Sequence, residues 1–206
     1  MKYTVEKLKA FEERVIALFE AGEIRAPIHL SGGNEEELLE LFKMIKKKDY
    51  VFSTHRSHYH YLLKGGDPEL LIREMKGWKT GLCKGQGRSM NVYSTDINFY
   101  TSAIVGGSCA IAVGVALALK KGKTRRCVYC FIGDGAEDGG HFIEAARFAW
   151  ARQLPLTFIV EDNNTSVDSS KKDRWHNHPP IAMPNIIRYT YERIHPHVGI
   201  GRHVTF

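Results

Sequence analysis

Apolar side chains recur at helical spacing in the first part of the chain. Residues 4–21 contain six of them, which predicts an amphipathic helix: Val5, Leu8, Phe11, Val15, Leu18 and Phe19. An irregular stretch follows at residues 24–33. Asn34 is a candidate N-cap for a second helix over residues 35–47, because Glu fills its first turn and Lys its last turn.

Glycine interrupts the apolar pattern in the middle of the chain. A third helix is predicted to begin at Asp67 and Pro68 and to end near Gly77. Residues 84–90 are rich in glycine and polar side chains, which predicts a loop. Residues 104–119 are apolar and rich in Gly and Ala, so we expect a buried helix with close packing there.

The second half of the chain contains one strand–helix–strand pattern. An apolar, β-prone run at residues 127–132 is followed by a Gly-Asp-Gly turn, a helical pattern over residues 140–152 and a second buried strand at residues 156–160. A helical crossover of this kind joins parallel strands. The pattern therefore predicts an α/β fold, a doubly wound parallel sheet with helices on both faces.

Length and composition favour a globular, soluble protein. The 206 residues suffice for one sizeable core, and we expect a single domain over residues 1–206 with an N-terminal helical extension over about residues 1–50. No apolar run approaches the ~20 residues of a membrane span. The first residues lack the apolar core of a signal peptide, so we expect a cytoplasmic protein. The net charge of +6 comes without a basic stripe interleaved with aromatics, which argues against nucleic acid as a partner.

The cysteines and histidines offer weaker candidates for metal sites. Cys127-x-x-Cys130 has the spacing of a zinc or redox pair, but positions i and i+3 of a strand face opposite sides, and no second pair completes a zinc site. We interpret the four cysteines as structural thiols. Seven of the ten histidines cluster at residues 55–60 and 176–197, and no carboxylate or thiolate spacing accompanies them. Phosphate or substrate contacts, or ordinary packing, explain them better than a metal.

Polar residues follow both strands of the predicted unit. Asp134 comes directly after the first strand, and Asn163 and Asn164 follow the second. Because parallel strands end at the same edge of a sheet, these side chains are expected to meet there. Carboxylate and amide oxygens suit Mg²⁺, which usually keeps phosphate oxygens in its shell. Glycines beside a helix N-terminus let backbone N–H groups approach a phosphate, so the pattern predicts a magnesium and phosphate site.

Several motifs in this chain resemble a known family. Residues 133–145 read Gly-Asp-Gly-Ala-Glu-Asp-Gly-Gly-His-Phe-Ile-Glu-Ala, which resembles the Gly-Asp-Gly-Ala-x-x-x-Gly-x-Phe/Ile-x-Glu-Ala run in alpha subunits of thiamine diphosphate-dependent 2-oxo acid dehydrogenases. Residues 24–35 are similar to the family's Arg…His-Leu…Gly-Gln-Glu stretch, residues 54–58 to its Tyr-Arg-x-His and residues 84–90 to its Gly-Lys-Gly-x-Ser-Met. The motifs keep the family's order over about residues 1–170.

The resemblance implies a thiamine diphosphate-binding fold and assigns a set of residues to the cofactor. The expected cofactor contacts are Arg56, Ala103, Val105, Gly133, Asp134, Gly135, Ala136 and Asn163. Ala103 and Val105 would meet the aminopyrimidine ring, since Ile104-Val105-Gly106 is similar to the family's Gly-Ile-Val-Gly. Arg56 would form a bidentate contact with the diphosphate. His55 and His58 are expected to be catalytic.

The same resemblance implies the ligands of Mg²⁺. Residues 161–168 read Glu-Asp-Asn-Asn-Thr-Ser-Val-Asp, which is similar to the Asp-Asp-Asn-x-Ile-Ser-Ile-Asp of transketolases. That register selects Asn163 over Asn164 and gives three ligands, namely Asp134, Asn163 and the backbone carbonyl of Thr165. The Mg²⁺ would then hold the diphosphate end of the cofactor.

Four departures from the family pattern concern residues near the expected site. The family's Tyr before the arginine is His55 here, its frequent His after Ser-Met is Asn91, and Gly139 stands where transketolases have Glu. The family's later Tyr-Arg-x-His-Gly-His loop is not recognisable. Residues 175–178, Trp-His-Asn-His, are a candidate replacement, and a surface or interface loop is the alternative.

The resemblance also implies that this chain carries half of an active site. In this superfamily the activating glutamate lies on a pyrimidine-binding domain, and the 38 residues after Asp168 are too few for one. We expect a partner subunit that supplies it, in a heterotetramer or around a homodimer core, and a reaction that decarboxylates a 2-oxo acid or transfers an acyl or two-carbon unit. A transketolase-like N-terminal half and a non-catalytic regulatory paralogue are alternatives. A nucleotide-binding Rossmann protein is disfavoured because no Gly-x-Gly-x-x-Gly opens a helix after a first strand.

Overall fold

The computed structural model describes residues 3–175 and 179–206, so most of the candidate replacement loop at residues 175–178 lies outside the described residues. The helices are α1 (Val5–Glu20), α2 (Glu35–Met44), α3 (His58–Leu63), α4 (Pro68–Met75), α5 (Ser108–Lys121), α6 (Asp134–Glu137), α7 (Gly140–Ala151) and α8 (Lys171–Trp175), with a 3₁₀ turn at Thr95–Ile97. The strands are β1 (Tyr50–Ser53), β2 (Tyr93–Ser94), β3 (Phe99–Thr101), β4 (Val128–Gly133), β5 (Leu156–Asp162), β6 (Thr165–Ser166), β7 (Ser169–Ser170) and β8 (Ile186–Thr190).

The chain divides into two compact units. Unit 1 consists of Met1–Lys47, His55–Thr101 and Glu192–Phe206, and unit 2 consists of Lys48–Thr54 and Ser102–Tyr191. Helices α1 and α2 thus belong to unit 1 together with later parts of the chain. The expected single domain with an N-terminal extension stays a prediction.

Unit 2 is built on parallel strands in the order β1-β4-β5-β8. The apolar runs of β4 and β5 are buried along almost their whole length, as expected for strands covered on both faces. Helix α5 packs against β4 and against α7. The predicted α/β fold with a parallel sheet and helices on both faces is confirmed.

Two strands of this sheet have no counterpart in the sequence-based prediction. Strand β1 pairs with β4, and Tyr50 lies opposite Val128. Strand β8 pairs with β5, and Asp162 lies opposite Thr190. The side chains of β8 are only half-buried, so its residues lack the continuous apolar run that identified β4 and β5.

Helix α5 differs from the expected buried helix. It begins at Ser108, four residues later than predicted, and only one face is buried, through Cys109, Ala112, Ala116 and Leu119. Ile111 on another face is exposed. All four cysteines are free, as the structural interpretation expects. A hydrogen bond with the Cys130 thiol of β4 lowers the pKa of Cys109.

Unit 1 contains helices α1 to α4 and the antiparallel pair β2–β3. Thr4 caps α1 by accepting from the Lys7 N–H, and Asp67 caps α4 by accepting from the Glu69 N–H. Helix α2 ends at Met44, three residues before the predicted end, and the side chain of Asn34 makes no capping bond. None of the described helices is long and apolar enough to cross a membrane.

Candidate functional site

In unit 2, the ends of two neighbouring strands bring the predicted metal ligands to one edge of the sheet. Gly133 lies opposite Glu161 in the parallel register of β4 and β5, so Asp134 follows one strand where Asn163 follows the other shortly afterwards. Asp134 is only 2% exposed. The predicted Gly-Asp-Gly turn is instead the start of the one-turn helix α6, which begins at Asp134.

The glycines beside Asp134 leave room that a larger residue would take. A Cβ atom at Gly135 would lie 2.2 Å from Ser166 Oγ, so α6 can pack on β6 only with glycine at this position. A Cβ atom at Gly133 would have nothing within 4 Å, so the space beside this residue is open. The backbone at Gly133 can therefore be approached from this side, whereas the corresponding side of Gly135 is closed by Ser166.

The two asparagines of the turn after β5 make different contacts. The Asn163 Oδ1 accepts from the Thr165 N–H at 3.0 Å, and its Nδ2 donates to the Tyr191 hydroxyl at 3.2 Å. A carboxamide oxygen has two lone pairs, so this acceptor retains capacity for a cation. Asn164 instead adopts a left-handed backbone with φ of 61°, and its N–H donates to the Asp162 carboxylate. The register that selects Asn163 over Asn164 stays a prediction.

Buried carboxylates surround this edge of the sheet in unit 2. They are Asp134, Glu137, Glu161 and Asp162. Burying ionised carboxylates without partners costs several kcal/mol each, so they require compensation. Three cations from the last part of unit 2 supply most of it, namely Lys171, Arg174 and Arg188.

Arg174 is the cation that contacts the predicted metal ligand. Its Nη2 lies 2.9 Å from Asp134 Oδ2, and its Nε lies 2.9 Å from Asp138 Oδ2. Burial alone would lower the pKa of the Arg174 guanidinium, but hydrogen bonds and charge from both aspartates raise it. No local pattern indicates this contact, because its two partners are 40 residues apart in the chain.

Arg188 and Lys171 neutralise the neighbouring acids. Arg188 pairs with Glu137, and its Nη1 lies 3.3 Å from Asp162 Oδ2. Lys171 pairs with the same Asp162 carboxylate. Burial lowers the pKa of Arg188. These ion pairs join α6 and β5 to the segment that follows them.

The predicted aminopyrimidine contacts lie in an exposed loop of unit 2 before α5. Ala103 is exposed, and Ile104 and Val105 are 74% and 60% exposed. Gly106 has φ of 67°, and a Cβ atom there would lie 1.9 Å from the His141 ring. Glycine is therefore required at this position, and the loop presents its backbone to the surface.

In unit 1, Arg56 is buried and its guanidinium binds backbone carbonyls. Nη1 donates to the Leu30 carbonyl at 2.6 Å, and Nη2 donates to the carbonyls of His197 and Pro196 at 3.1 and 3.4 Å. These acceptors orient the guanidinium fork. The fork is thus fixed by two parts of the chain that are far apart in sequence.

Three histidines of unit 1 lie together. One ring nitrogen from each of His29, His55 and His197 lies within 4.8 Å of the other two. Burial, followed by the charge of Arg56, lowers the pKa of His29 to about 4. Burial, followed by His29 and Arg56, lowers the pKa of His55 to about 3. Among the described residues, His29 Nδ1 and His55 Nε2 have no hydrogen-bond partner.

This histidine cluster is electropositive through Arg56 and has donors to offer. An anion is the ligand that such a group fits best, because it would be attracted by the guanidinium and could accept from the imidazoles. Sequence reasoning predicted Arg56 and His55 but assigned no role to His29 and His197. His29 lies in the His-Leu motif quoted above, whereas His197 is 142 residues from His55 and had no local signal.

His58 is completely buried in unit 1. Its Nδ1 lies 3.2 Å from Glu12 Oε1, and its Nε2 lies 2.9 Å from Ser89 Oγ. Glu12 also accepts from the Ser31 N–H, and Ser89 accepts from the His29 N–H. Through Glu12 and Ser89, His58 is thus connected to the backbone of Ser31 and His29 in the segment between α1 and α2. The catalytic role expected for His58 stays a prediction.

The glycine-rich loop of unit 1 is organised by one buried carboxylate. Glu74 is 0% exposed, and its two oxygens accept from four backbone N–H groups at 2.7–3.2 Å, those of Cys83, Gly85, Gly87 and Arg88. Helix periodicity places Glu74 on α4 without revealing its burial. The predicted loop is therefore confirmed, but the residue that shapes it was missed.

The structure brings the predicted residues together in two groups. Unit 2 holds Asp134, Asn163 and Thr165 with the residues of α6, and it also holds the exposed loop of Ala103 and Val105. Unit 1 holds Arg56 together with the histidine cluster.

Comparisons with known proteins agree with the motif pattern. Residues 3–178 match the family model described as dehydrogenase E1 component. The alpha subunit of acetoin:2,6-dichlorophenolindophenol oxidoreductase from Bacillus subtilis is 36% identical over 158 residues, which cover 76% of this chain and 47% of that protein. The alpha subunit of the pyruvate dehydrogenase E1 component from Rickettsia typhi is 36% identical over 165 residues, which cover 79% and 50%. The chain spans about half the length of the curated relatives it matches.

Proposed function

The chain belongs to the dehydrogenase E1 component family, and from this premise we propose that it binds thiamine diphosphate and Mg²⁺ as one subunit of a two-chain enzyme. The enzyme would decarboxylate a 2-oxo acid or transfer an acyl or two-carbon unit. Alpha subunits of pyruvate dehydrogenase and of an acetoin oxidoreductase are among the relatives, and both names support this chemistry.

One observation carries the proposal. Asp134 and Asn163 follow adjacent parallel strands in unit 2, with the Thr165 backbone in the same turn as Asn163. Carboxylate, carboxamide and carbonyl oxygens form a donor set that suits Mg²⁺. The open space beside Gly133 is compatible with a diphosphate that approaches the backbone there. These residues fit the proposed group.

Unit 1 would contribute binding of negative charge. Arg56 presents a guanidinium held by backbone carbonyls, and His29 and His55 have pKa values low enough to keep both rings neutral near pH 7. Neutral imidazoles can donate to phosphate oxygens through N–H groups, and the guanidinium supplies the charge. We propose that this cluster of unit 1 recognises an anionic group.

The bound cofactor would supply the carbanion chemistry, and this chain would orient it and exclude water from its diphosphate. A partner subunit would contribute the pyrimidine-binding domain and the activating glutamate. Exposed apolar residues of unit 2 support such a partner: Ile104, Val105, Ile111, Phe148 and Trp150. The expected heterotetramer and the cytoplasmic location stay predictions.

Calorimetry of the whole chain with thiamine diphosphate and Mg²⁺ tests the binding proposal. Asp134→Asn should weaken Mg²⁺-dependent binding by about 100-fold or more, because it removes the charged metal ligand. The matched control is Asp96→Asn, which makes the same substitution at an exposed aspartate of unit 1. Equal affinity of the two variants would contradict the metal assignment.

A second experiment tests the two-chain proposal. The pure chain should show little thiamine-dependent decarboxylation of a panel of 2-oxo acids, and activity should appear on adding the cognate partner. Proton transfer at the aminopyrimidine is worth roughly 10²–10⁴-fold in general acid–base catalysis, and no residue of this chain is assigned to it. Robust turnover by the chain alone would refute the half-site proposal. Binding without activity in the presence of the partner would favour the non-catalytic paralogue, and two-carbon transfer would favour the transketolase-like half.

A further inference from the structure

The guanidinium of Arg174 is held by three acceptors in unit 2. Nη2 bonds to Asp134 Oδ2 and Nε bonds to Asp138 Oδ2, both at 2.9 Å, while Nη1 donates to the Ser169 carbonyl at 3.0 Å. The side chain is 15% exposed, and that of Asp134 is 2% exposed. This is a well-anchored ion pair at a largely buried carboxylate rather than a contact between mobile surface charges.

A buried carboxylate requires a positive partner, and either a guanidinium or a divalent cation can provide it. The two cannot share the oxygen easily. Mg²⁺ coordinates carboxylate oxygens at about 2.1 Å in a near-octahedral shell, and a guanidinium hydrogen-bonded to the same oxygen would place a second positive charge against the metal. Occupation of Asp134 Oδ2 by Arg174 therefore opposes occupation by a metal.

We propose that Arg174 is a built-in competitor of the metal, which caps Asp134 in the metal-free chain and is released when a divalent cation binds. This inference rests on the proposed function, since it takes Asp134 as a metal ligand. It adds that the metal affinity of the chain is set partly by an autoinhibitory contact. Loss of the Asp134 contact upon metal binding would leave the Arg174 fork available to another anion.

The chain connects the competitor to the metal ligands directly. Thr165 lies in β6, β6 pairs with β7, and α8 with Arg174 begins immediately after β7. Metal binding would thus hold Thr165, at one end of residues 165–174, and release Arg174 at the other end. Arg188 differs, because it lies in β8, is held in the sheet and pairs with Glu137 and Asp162. It stays as a counterion of the neighbouring acids.

Binding of Mn²⁺ to the whole chain, followed by electron paramagnetic resonance without thiamine diphosphate, tests the competition. Arg174→Gln should bind Mn²⁺ about 10–100-fold more tightly than the unchanged chain, the range of an ordinary coupling between two ligands. Lys172→Gln removes the same charge from the exposed side of the same helix, so it measures the general electrostatic effect. Affinity of Arg174→Gln no greater than that of Lys172→Gln would overturn the proposal.

Two further measurements separate this inference from the proposed function. Asp134→Asn should abolish the tight Mn²⁺ binding of Arg174→Gln; binding that survives overturns the metal assignment and the competition with it. Urea unfolding in a metal chelator then tests the ion pair alone through the two single variants and the double variant. Non-additive effects are expected, since the partners are in contact. Additive effects would overturn the inference even where Asp134 binds metal.

Discussion

Two buried charged groups of unit 1 and three of unit 2 are held by different kinds of partner. In unit 1, Glu74 and Arg56 are held mainly by backbone N–H and C=O groups, which are fixed once the chain has folded. In unit 2, Asp134, Glu137 and Asp162 are held by cationic side chains. A backbone partner cannot be exchanged without unfolding, whereas a side-chain counterion can be replaced by another ion.

This difference indicates how each unit would bind a ligand. The arginine and histidines of unit 1 form a receptor whose geometry is already set, so anion binding there requires little reorganisation. The acids of unit 2 are already neutralised, so a metal must take the place of a cation. Four predictions, from the largest effect to the smallest, test whether the contrast is real.

Glu74→Ala should cause the largest loss of stability, about 3–5 kcal/mol, because it leaves four backbone N–H groups of the glycine-rich loop without their acceptor. Urea unfolding monitored by circular dichroism measures the loss. Glu69→Ala on the same helix is the control, since Glu69 forms an exposed ion pair with Arg14 that contributes at most about 1 kcal/mol. Similar losses in the two variants would show that backbone groups do not hold unit 1 together.

Acid should destabilise the chain through its buried histidines. The pKa values of His29 and His55 fall from an ordinary 6.5 to about 4 and about 3 in the folded chain, so the unfolded chain binds more protons below pH 6.5. The stability that the two neutral histidines contribute is complete above about pH 6.5. It is lost as the pH falls from there towards their pKa values in the folded chain. Each histidine should lower the free energy of unfolding by about 2 kcal/mol when the pH falls from 7 to 5.

Unfolding of His55→Tyr at pH 7 and pH 5 isolates one of these contributions. The variant carries the residue that the family has at this position, and its loss of stability between the two pH values should be about 2 kcal/mol smaller. His203→Tyr, at an exposed position, should leave the pH dependence unchanged. The same pH dependence in both variants would show that His55 is not buried as a neutral ring.

The two asparagines after β5 should respond differently to substitution. Asn163→Ala should weaken thiamine diphosphate and Mg²⁺ binding by about tenfold or more, because it removes a carboxamide acceptor that a metal would use. Asn164→Gly preserves the left-handed backbone, so it should leave the affinity within about twofold. Calorimetry decides between them, and a larger effect at Asn164 would mean that the register is wrong.

Arg56→Lys should have the smallest effect on stability, about 1 kcal/mol, because a lysine cannot reproduce the fork between the carbonyls of Leu30 and His197. Pyrophosphate affinity should fall severalfold in parallel. Arg25→Lys, at an exposed arginine that bonds one carbonyl, is the control for both measurements. An unchanged affinity of Arg56→Lys would remove Arg56 from the anion receptor.

The sequence predicted what depends on local pattern. Strands β4 and β5 and helix α7 follow from continuous apolar runs and helical periodicity, and the order of the strand ends then predicted that Asp134 and Asn163 share an edge. Resemblance added the choice between two adjacent asparagines. These inferences need only neighbouring residues and one topological rule.

Contacts between distant residues could not be predicted in this way. Glu12 and Glu74 occupy helices in which a glutamate normally faces water, and their burial depends on N–H groups and side chains elsewhere in the chain. Strand β8 is half-buried and includes Arg188, so its composition is ambiguous until β5 offers an edge. The Arg174 contact depends on where a short helix folds back, which periodicity does not encode.

The last residues of unit 1 impose an order on its assembly during synthesis. The Gly199 N–H donates to the Ile28 carbonyl, and the carbonyls of Pro196 and His197 receive the Arg56 fork. A ribosome makes the residues of unit 2 between the parts of unit 1, so the nascent chain carries an unfinished unit 1 until residue 199 emerges. Unit 2 is also discontinuous, but it is completed earlier, since its last segment ends at Tyr191. We expect folding on the ribosome to complete unit 2 before the histidine receptor of unit 1.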